Sequence, residues 1–336
     1  ARVTLSGVPD KPGSSNAIFS AIARANITVD MIVQDAGVDG ISNISFTVPS
    51  AELTPTLEAM QPVAEQLGIQ NVSSRDNVSK ISVVGIGMAE QSGVSDRMFR
   101  ALSNKSINIH MITTSQIKIS VLVDRDQALE AINAVHQTFE LDIASPDAVP
   151  AESPQATPAA DPAAAANELQ GMEELAITDI ALDSTQASVS IHAVPDTPGI
   201  AATIFEKVAQ ENIIVDMIIQ SYLDDTEFAS LSFTVQREDH QRTLEVLQDM
   251  QADVSFQKVV SNPAVAKLSV SGIGLRSHTG VAIRMFQSLA KAGMNIEMIN
   301  TSEVRVNVVV DDSQGESGLK ALTQAFEDVM GKHLTS

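Results

Sequence analysis

Ile27-Thr-Val-Asp-Met-Ile32 is the first of four copies of one short phrase in this chain. The other three copies are Ile107-Asn-Ile-His-Met-Ile112, Ile213-Ile-Val-Asp-Met-Ile218 and Met294-Asn-Ile-Glu-Met-Ile299. Their shared methionines are Met31, Met111, Met217 and Met298, so successive copies lie 80, 106 and 81 residues apart. Repeats at so long a period come from duplicated structural units. The chain is therefore predicted to contain four units, with an insertion in the wider middle gap.

The insertion is a segment of low complexity. From Ala144 to Gly171 the sequence is rich in alanine and proline, with prolines every four residues at Pro146, Pro150, Pro154, Pro158 and Pro162. The segment has no apolar face to bury, so it is predicted to be a solvated, partly extended tether. It divides the chain into a first copy, residues 1–143, and a second copy, residues 172–332, with two units in each.

Apolar spacing predicts the same element order in each unit. In the first unit it predicts strands at Arg2–Val8, Ile27–Gln34, Ile44–Val48 and Ile69–Ser73, with helices at Ser14–Ala25 and Leu53–Leu67. In the second unit it predicts strands at Lys80–Gly85, Ile107–Thr114 and Ile117–Val123, with helices near Val94–Leu102 and Gln127–Phe139. The order βαββαβ places two helices on one face of a four-stranded antiparallel sheet. This predicts an α+β, ferredoxin-like fold for each unit.

The two copies differ at their starts. A strand-like stretch, Leu175–Leu182, precedes the third unit, and the first copy has no counterpart to it. Since the chain begins with alanine, we expect that it was cut from a longer polypeptide and that one strand of the second unit was removed there; a different order of units is the alternative. The predicted units are residues 1–76, 77–143, 187–262, and 172–186 together with 263–332.

Composition limits the classes of partner. A formal charge of −21 and an aromatic content of 3% argue against nucleic acid, which needs a basic surface and usually stacking rings. No apolar run is long enough to cross a bilayer, so no membrane role is indicated. The absence of cysteine fits a reducing compartment, and a cytoplasmic location is expected. The charge favours a small cationic or zwitterionic ligand.

One loop in each copy has the chemistry to bind an amino acid. Val8-Pro-Asp-Lys-Pro-Gly13 and Val194-Pro-Asp-Thr-Pro-Gly199 each lead into a predicted helix, whose free amides attract a carboxylate. The loop aspartates can accept hydrogen bonds from an ammonium, and a glutamine follows on the next strand. The same loop is also a common helix-capping turn, and this alternative stays open. The candidates are Asp10, Gly13, Ser14, Ser15 and Gln34, and Asp196, Gly199, Ile200, Ala201 and Gln220.

These motifs together resemble the regulatory region of aspartate kinases, which is built from ACT modules. The resemblance rests on the two loops above, on Val-Asp-Met-Ile-x-Gln after each, on Lys80-Ile-Ser-Val-Val-Gly-Ile-Gly-Met88, and on Asn-Ile-x-Met-Ile-x-Thr-Ser in the partner unit. Aspartate kinases carry their chemistry in an N-terminal amino-acid-kinase domain, which nothing here matches. ATP and magnesium are therefore expected only for that absent domain. No cofactor, no metal and no catalytic residue is expected in this chain.

The resemblance also implies the opposite wall of the site. It places a small set of strand residues against the effector, namely Asn108, Ile109, Thr114 and Ser115, and Asn295, Ile296, Thr301 and Ser302. Glu297 and Glu303 could receive a lysine ammonium, where the first copy carries His110 and Gln116. We therefore assign lysine to the second copy and threonine to the first. The alternatives are that these acids are solvated strand residues and that units pair across the copies.

The function implied by the resemblance is allosteric feedback inhibition of ATP-dependent aspartate phosphorylation by lysine, threonine or both. The expected partners are these free amino acids, the kinase domain of the parent chain and further copies, since ACT modules associate edge to edge in a homo-oligomer. A stand-alone amino-acid sensor made of ACT repeats is the alternative. An enzyme acting through this chain itself is a third class, but no nucleophile with a paired base is identifiable.

Overall fold

The computed structural model describes most of the chain outside the predicted tether. The described residues are 1–85, 88, 93–115, 117–141, 176–222, 226–273, 279–302 and 304–330. The tether, Gln116 and Glu303 lie outside the described residues. No helix among the described residues has both the length and the apolar character that spanning a bilayer requires.

The first unit has the predicted order of elements. Its elements are β1 (Arg2–Pro9), α1 (Ser14–Arg24), β2 (Ile32–Gln34), β3 (Ile41–Thr47), α2 (Leu53–Leu67) and β4 (Asn71–Arg75). The strands lie in the order β4-β1-β3-β2, with antiparallel pairing throughout. The predicted strand from Ile27 begins only at Ile32. Just before it, the Met31 amide donates to the Thr47 hydroxyl at 3.1 Å instead of to a backbone carbonyl.

The other three units repeat this pattern. The second unit contains β5 (Val78–Val84), α3 (Val94–Ser103), β6 (Met111–Ser115), β7 (Lys118–Asp124) and α4 (Ala128–Thr138). The third and fourth units share two long strands, β8 (Ala176–Pro195) and β11 (Lys258–Ile273). The third adds α5 (Ile200–Gln210), β9 (Val215–Tyr222), β10 (Phe228–Gln236) and α6 (His240–Val254). The fourth adds α7 (Thr279–Lys291), β12 (Met298–Thr301), β13 (Arg305–Asp311) and α8 (Gly315–Phe326).

The two long strands pass from one unit into the other. Lys258 to Asn262 of β11 pair with His192 to Ser188 of β8, beside β10 of the third unit. Lys267 to Ile273 pair with Asp183 to Ala176, beside β13 of the fourth unit. The stretch predicted as an additional strand therefore lies in the sheet of the fourth unit, where it is described from Ala176 onward.

The units join across the two copies. In the first junction β2 pairs with β12, with Gln34 opposite Ile299, and in the second β6 pairs with β9, with Ile112 opposite Gln220. The first unit thus shares a half of the molecule with the fourth, and the second shares the other half with the third. Helix α1 packs against α7, and α3 against α5. Of the two arrangements that the sequence left open, the structure therefore has the one in which units pair across the copies.

Three apolar cores follow from strand alternation, because successive side chains point to opposite faces of a sheet. One core lies under the helices of the first and fourth units, and another under those of the second and third. A third core lies between the two halves and contains all four repeat methionines, Met31, Met111, Met217 and Met298. Each of them is at most 2% exposed. The repeated phrase is therefore the contact surface between the halves.

Removing one of these methionine side chains is expected to weaken the contact between the halves. Met298→Ala deletes a side chain that is 0% exposed, which should cost about 2–5 kcal/mol of stability and lower the urea midpoint of unfolding. The matched control is Met330→Ala, because Met330 is 37% exposed and should tolerate the change with little loss. Equal midpoints for the two variants would contradict the burial argument.

Candidate functional site

Two helices begin in the way that the loop motifs predict. Gly13 precedes α1 with φ 94°, and Gly199 precedes α5 with φ 99°, both in the left-handed region that favours glycine. Neither helix has a side-chain hydrogen bond capping its start. The first amide of each helix, that of Ser14 or Ile200, makes only a long 3.3 Å bond to a carbonyl three residues earlier. The amides that follow in the first turn therefore keep their capacity to bind an anion, and the helix dipole adds to it.

The start of α5 opens into a pocket between the third and second units, called here the second–third site. Its empty space is about 420 Å³ including the open mouth, and about 30 Å³ is accessible to the centre of a water molecule, so the pocket is narrow. Its walls combine polar and apolar groups, namely Phe99, Ile107, Asn108, Ile109, Val194 to Ala202, Gln220, Ala229 and Leu231. Seven predicted candidates thus line one cavity, namely Asn108, Ile109, Asp196, Gly199, Ile200, Ala201 and Gln220.

Two hydrogen bonds join the walls of the second–third site. Gln220 Nε2 donates to the Ile109 carbonyl oxygen at 2.7 Å, and Asn108 Nδ2 approaches the Asp196 carbonyl oxygen at 3.5 Å. The first bond fixes the orientation of the glutamine amide. The second is long, so this pair leaves room for adjustment when a ligand enters.

The start of α1 faces the fourth unit in the same way and forms the first–fourth site. Gln34 Nε2 donates to the Ile296 carbonyl oxygen at 2.6 Å, and Asn295 Nδ2 donates to Asp10 Oδ1 at 2.8 Å. Ser15, in the first turn of α1, donates its hydroxyl to Gln34 Oε1 at 2.7 Å. The Ser14 hydroxyl instead donates to the Pro9 carbonyl at 2.7 Å. In this site the predicted polar groups bond to one another.

The predicted threonines and serines have different positions. Thr301 Oγ1 accepts from the Ile32 amide at 2.8 Å, and Thr114 Oγ1 accepts from the Ile218 amide at 2.9 Å, so each threonine joins two units. Ser302 donates to the Arg305 carbonyl at the end of its hairpin. Ser115 lines a separate surface cavity with Ile117 and Val304. The structure therefore brings neither serine to the helix starts.

The first–fourth site lies in acidic surroundings. Burial raises the pKa of Glu297, and the nearby Asp311 and Asp10 carboxylates raise it further. Burial also raises the pKa of Asp35, the residue after Gln34, to about 6. Among the described residues, no ion pair involves Asp10, Asp35 or Glu297. This site can therefore stabilise a cation.

The second–third site has a histidine at the position of Glu297 and two arginines nearby. His110 stands where the fourth unit has Glu297, and its Nε2 lies 3.2 Å from Asp124 Oδ1. Burial and the Arg75 guanidinium lower the pKa of His110. Burial raises the pKa of Asp196, while the Asn108 side chain and then the nearby His110 and Arg2 oppose this rise. The nearby Arg2 and Arg75 guanidinium groups offset the acids, so an added cation would gain less here.

Sequence reasoning missed part of this environment. Asp35, Arg2 and Arg75 carry no local motif, and Arg2 is 0% exposed although it is charged. A further pocket of about 360 Å³ lies at the start of α3, where Gly93 and Asp96 face Ile213 and Val215 of the third unit. In the sequence, the signal for this pocket is the glycine that precedes helix α3. The structure gives this Gly93 a φ of 85°, as it gives Gly13 and Gly199 positive φ angles. Among the described residues, no cluster of three or more His, Asp or Glu side chains could hold a metal ion.

The ACT domain profile matches four segments of the chain, residues 3–61, 81–139, 189–251 and 268–326. The chain belongs to the ACT domain family. It is also similar to aspartate kinases, as the motifs indicated. The Stutzerimonas stutzeri enzyme is 41% identical and the Pseudomonas aeruginosa enzyme 40% identical over 161 residues, which are 48% of this chain and 39% of each relative.

A solved structure extends the similarity to the whole chain. The crystal structure of aspartate kinase from Synechocystis matches with a TM-score of 0.84 and 32% identity, and the match covers 100% of this chain and 55% of that one. The chain thus spans only part of the length of these relatives. The described units are ACT domains, and they are similar to those of aspartate kinases.

The helix start at Gly199 should not tolerate a side chain. In Gly199→Ala the new Cβ would lie 2.7 Å from Ser103 Oγ, and the residue would keep a strained positive φ. We expect a loss of roughly 1–3 kcal/mol and a lower melting temperature. The control is Gly280→Ala, whose Cβ meets nothing within 4 Å inside helix α7. That change should leave the melting temperature unchanged or raise it slightly.

The buried carboxyl of Asp35 should make stability depend on pH. Because its pKa is raised to about 6, the folded protein binds this proton more tightly than the unfolded chain does. The stabilisation is complete below the ordinary aspartate pKa and is lost as pH rises through about 6. At about 1.4 kcal/mol per pKa unit, Asp35→Asn should reduce the change in unfolding free energy between pH 4 and 7 by about 2 kcal/mol.

The control for this titration is Asp39→Asn on the same loop. Asp39 is exposed and has φ 54°, a conformation that asparagine tolerates. Urea unfolding of this variant should follow the wild-type pH dependence. If Asp35→Asn also follows it, the raised pKa of Asp35 is wrong.

Proposed function

We propose that this chain is the allosteric amino-acid-binding region of an aspartate kinase, through which lysine and threonine inhibit ATP-dependent phosphorylation of aspartate. One observation carries the proposal. At two places, an uncapped helix start with an aspartate beside it faces the Asn-Ile strand of another unit, and a glutamine bonds across the junction. The similarity to aspartate kinases supports the choice of effectors.

Each part of a free amino acid has a complementary group in such a site. The α-carboxylate would bind the first amides of α1 or α5, since these have no side-chain cap. The α-ammonium would donate to the loop aspartate, Asp10 or Asp196, or to nearby carbonyl oxygens. The ligand side chain would then point toward residue 297 or residue 110 on the opposite strand. Selectivity would come from that opposite strand.

The charges favour different effectors at the two sites. Glu297, with Asp10 and Asp35 nearby, favours lysine at the first–fourth site, because a second ammonium there would offset buried negative charge. His110, with Arg2 and Arg75 nearby, favours an uncharged side chain such as that of threonine at the second–third site. Lysine thus stays with Glu297 and threonine with His110, but each site combines units from both copies.

Regulation would follow from the position of the ligands at the junctions between units. A ligand that touches both walls stabilises the arrangement in which the walls are close, and so shifts the equilibrium toward that arrangement. A kinase domain on the parent chain would respond if its active arrangement requires another placement of the units. The amino-acid-kinase domain and further copies of the chain are the partners that this mechanism needs.

Calorimetric titration of the 336-residue chain tests the proposal directly. Lysine and threonine should each bind, and each should bind when the other is already saturating, because the two sites are separate. Lysine affinity should fall as pH is lowered from about 7 to 5, since protonation of Asp35, whose pKa is about 6, removes charge that attracts it. Absence of binding by both amino acids would refute the proposed function.

The assignment of lysine has its own variant. Glu297→Gln removes the carboxylate charge but keeps the shape, and should weaken lysine binding roughly tenfold, the usual effect of losing a charge-assisted hydrogen bond. Threonine binding should stay within about twofold of wild type. Asp312→Asn is the matched control, because Asp312 is a fourth-unit acid paired with Arg237 away from the site. A loss of threonine binding instead of lysine binding would reverse the assignment.

A further inference from the structure

The two sites differ in the hydroxyl group that meets the glutamine at the start of the helix. In the first–fourth site, Ser15 occupies the first turn of α1 and its hydroxyl donates to Gln34 Oε1 at 2.7 Å. The equivalent residue in α5 of the second–third site is Ala201, which has no donor. The two glutamines are otherwise held alike, since Gln34 Nε2 and Gln220 Nε2 each donate to a carbonyl of the opposite unit.

This difference leaves one acceptor of the second–third site without a partner. Gln220 is only 7% exposed, and its Oε1 has no hydrogen bond to any described residue. The side chain cannot turn away from the site without losing the 2.7 Å bond to the Ile109 carbonyl. A buried acceptor without a donor lowers stability, and a ligand that supplies the donor gains that energy on binding.

The position of Gln220 Oε1 identifies the kind of donor that it can take. Gln220 and Ala201 both line the 420 Å³ pocket, together with the uncapped start of α5. The first–fourth site shows that a hydroxyl at this place reaches the glutamine at hydrogen-bond distance. The remaining lining around Phe99, Ile107 and Leu231 is apolar and suits a methyl group. A ligand whose carboxylate binds at the helix start would place its β-substituents between Gln220 Oε1 and this apolar lining.

We infer that Gln220 Oε1 accepts a hydrogen bond from the side-chain hydroxyl of a small hydroxyamino acid in the second–third site. Ala201 is then a specificity-determining residue, because its missing hydroxyl is replaced by that of the ligand. Ser15 has the opposite effect in the first–fourth site, where it satisfies Gln34 internally and removes any preference for a ligand hydroxyl. The inference rests on the proposed function, since it requires an amino acid at this helix start.

The test compares L-threonine with L-2-aminobutyrate, which differs from it by the hydroxyl alone. With the wild-type chain, threonine should bind roughly 10- to 100-fold more tightly in calorimetric titration, because the analogue leaves Gln220 Oε1 unpaired. In Ala201→Ser the new hydroxyl should bond to Gln220, as Ser15 does to Gln34. Threonine and 2-aminobutyrate should then bind that variant within about threefold of each other.

Two controls separate this effect from a loss of folding. Ser15→Ala removes the matching hydroxyl from the other site, and should leave the discrimination between threonine and 2-aminobutyrate at its wild-type value. Lysine titration of Ala201→Ser should give wild-type affinity, because the first–fourth site contains no changed residue. The comparison of the two ligands on the wild-type chain depends on no variant, so it decides the question even if Ala201→Ser is unstable.

The outcomes distinguish this inference from the proposed function. If wild type binds threonine and 2-aminobutyrate equally, or if Ala201→Ser weakens both by the same factor, the hydroxyl does not bond to Gln220 and the inference is wrong, while the proposed function stands. The second of these results would indicate that the ligand ammonium is the donor instead. If no amino acid binds the wild-type chain, both are wrong.

Discussion

The register of two very short strand pairings determines the rest of the structure. Strand β2 meets β12 with Gln34 opposite Ile299, and β6 meets β9 with Ile112 opposite Gln220, each over only two residue pairs. A slip of one residue would present the other face of the opposite strand to each glutamine and helix start, because side chains alternate between the faces of a sheet. Hydroxyl-to-amide bonds from Thr301 and Thr114 hold the register. The bonds that join the units therefore also form the sites.

The pairing across copies follows from the covalent connections. Strand β4 ends at Arg75 and β5 begins at Val78, so the first and second units are joined by a connection too short to let them turn edge to edge. The third and fourth units are joined by the continuous strands β8 and β11, which place them in opposite halves. Units of one copy therefore cannot share a half. The open edge strand of each unit pairs with an edge strand of a unit from the other copy. This pairing also covers edges that would otherwise promote aggregation.

Local patterns predicted the elements and one wall of each site, but not how the walls combine. Apolar alternation located the strands, and the Pro-Gly loops located the starts of α1 and α5, because these signals lie within a few residues of one another. The junction between Asn300 and Val33 joins residues far apart in sequence, and no local signal records it. Asp35, Arg2 and Arg75 come close to the sites only once the chain has folded, so the effect of their charges on the sites could not be read from a local pattern. The contrast of Glu297 with His110 lies in the sequence, but which units each of them faces does not.

The layer between the two halves contains polar contacts as well as the four methionines, and these contacts link the strands of the two sites. Asn300 of β12 donates its Nδ2 to the carbonyl of Thr114 on β6 at 2.6 Å, and Thr114 is the residue whose hydroxyl holds β6 against β9. Ion pairs of Lys80 with Asp30 and of Lys267 with Asp216 cross the same layer. The four methionines around these contacts are flexible and adapt to small shifts. A displacement of β12 against β2 must therefore either break a buried hydrogen bond or move β6 with it, because the bond joins one junction to the other. The two candidate sites are therefore linked by a direct buried contact between the strands that form their junctions.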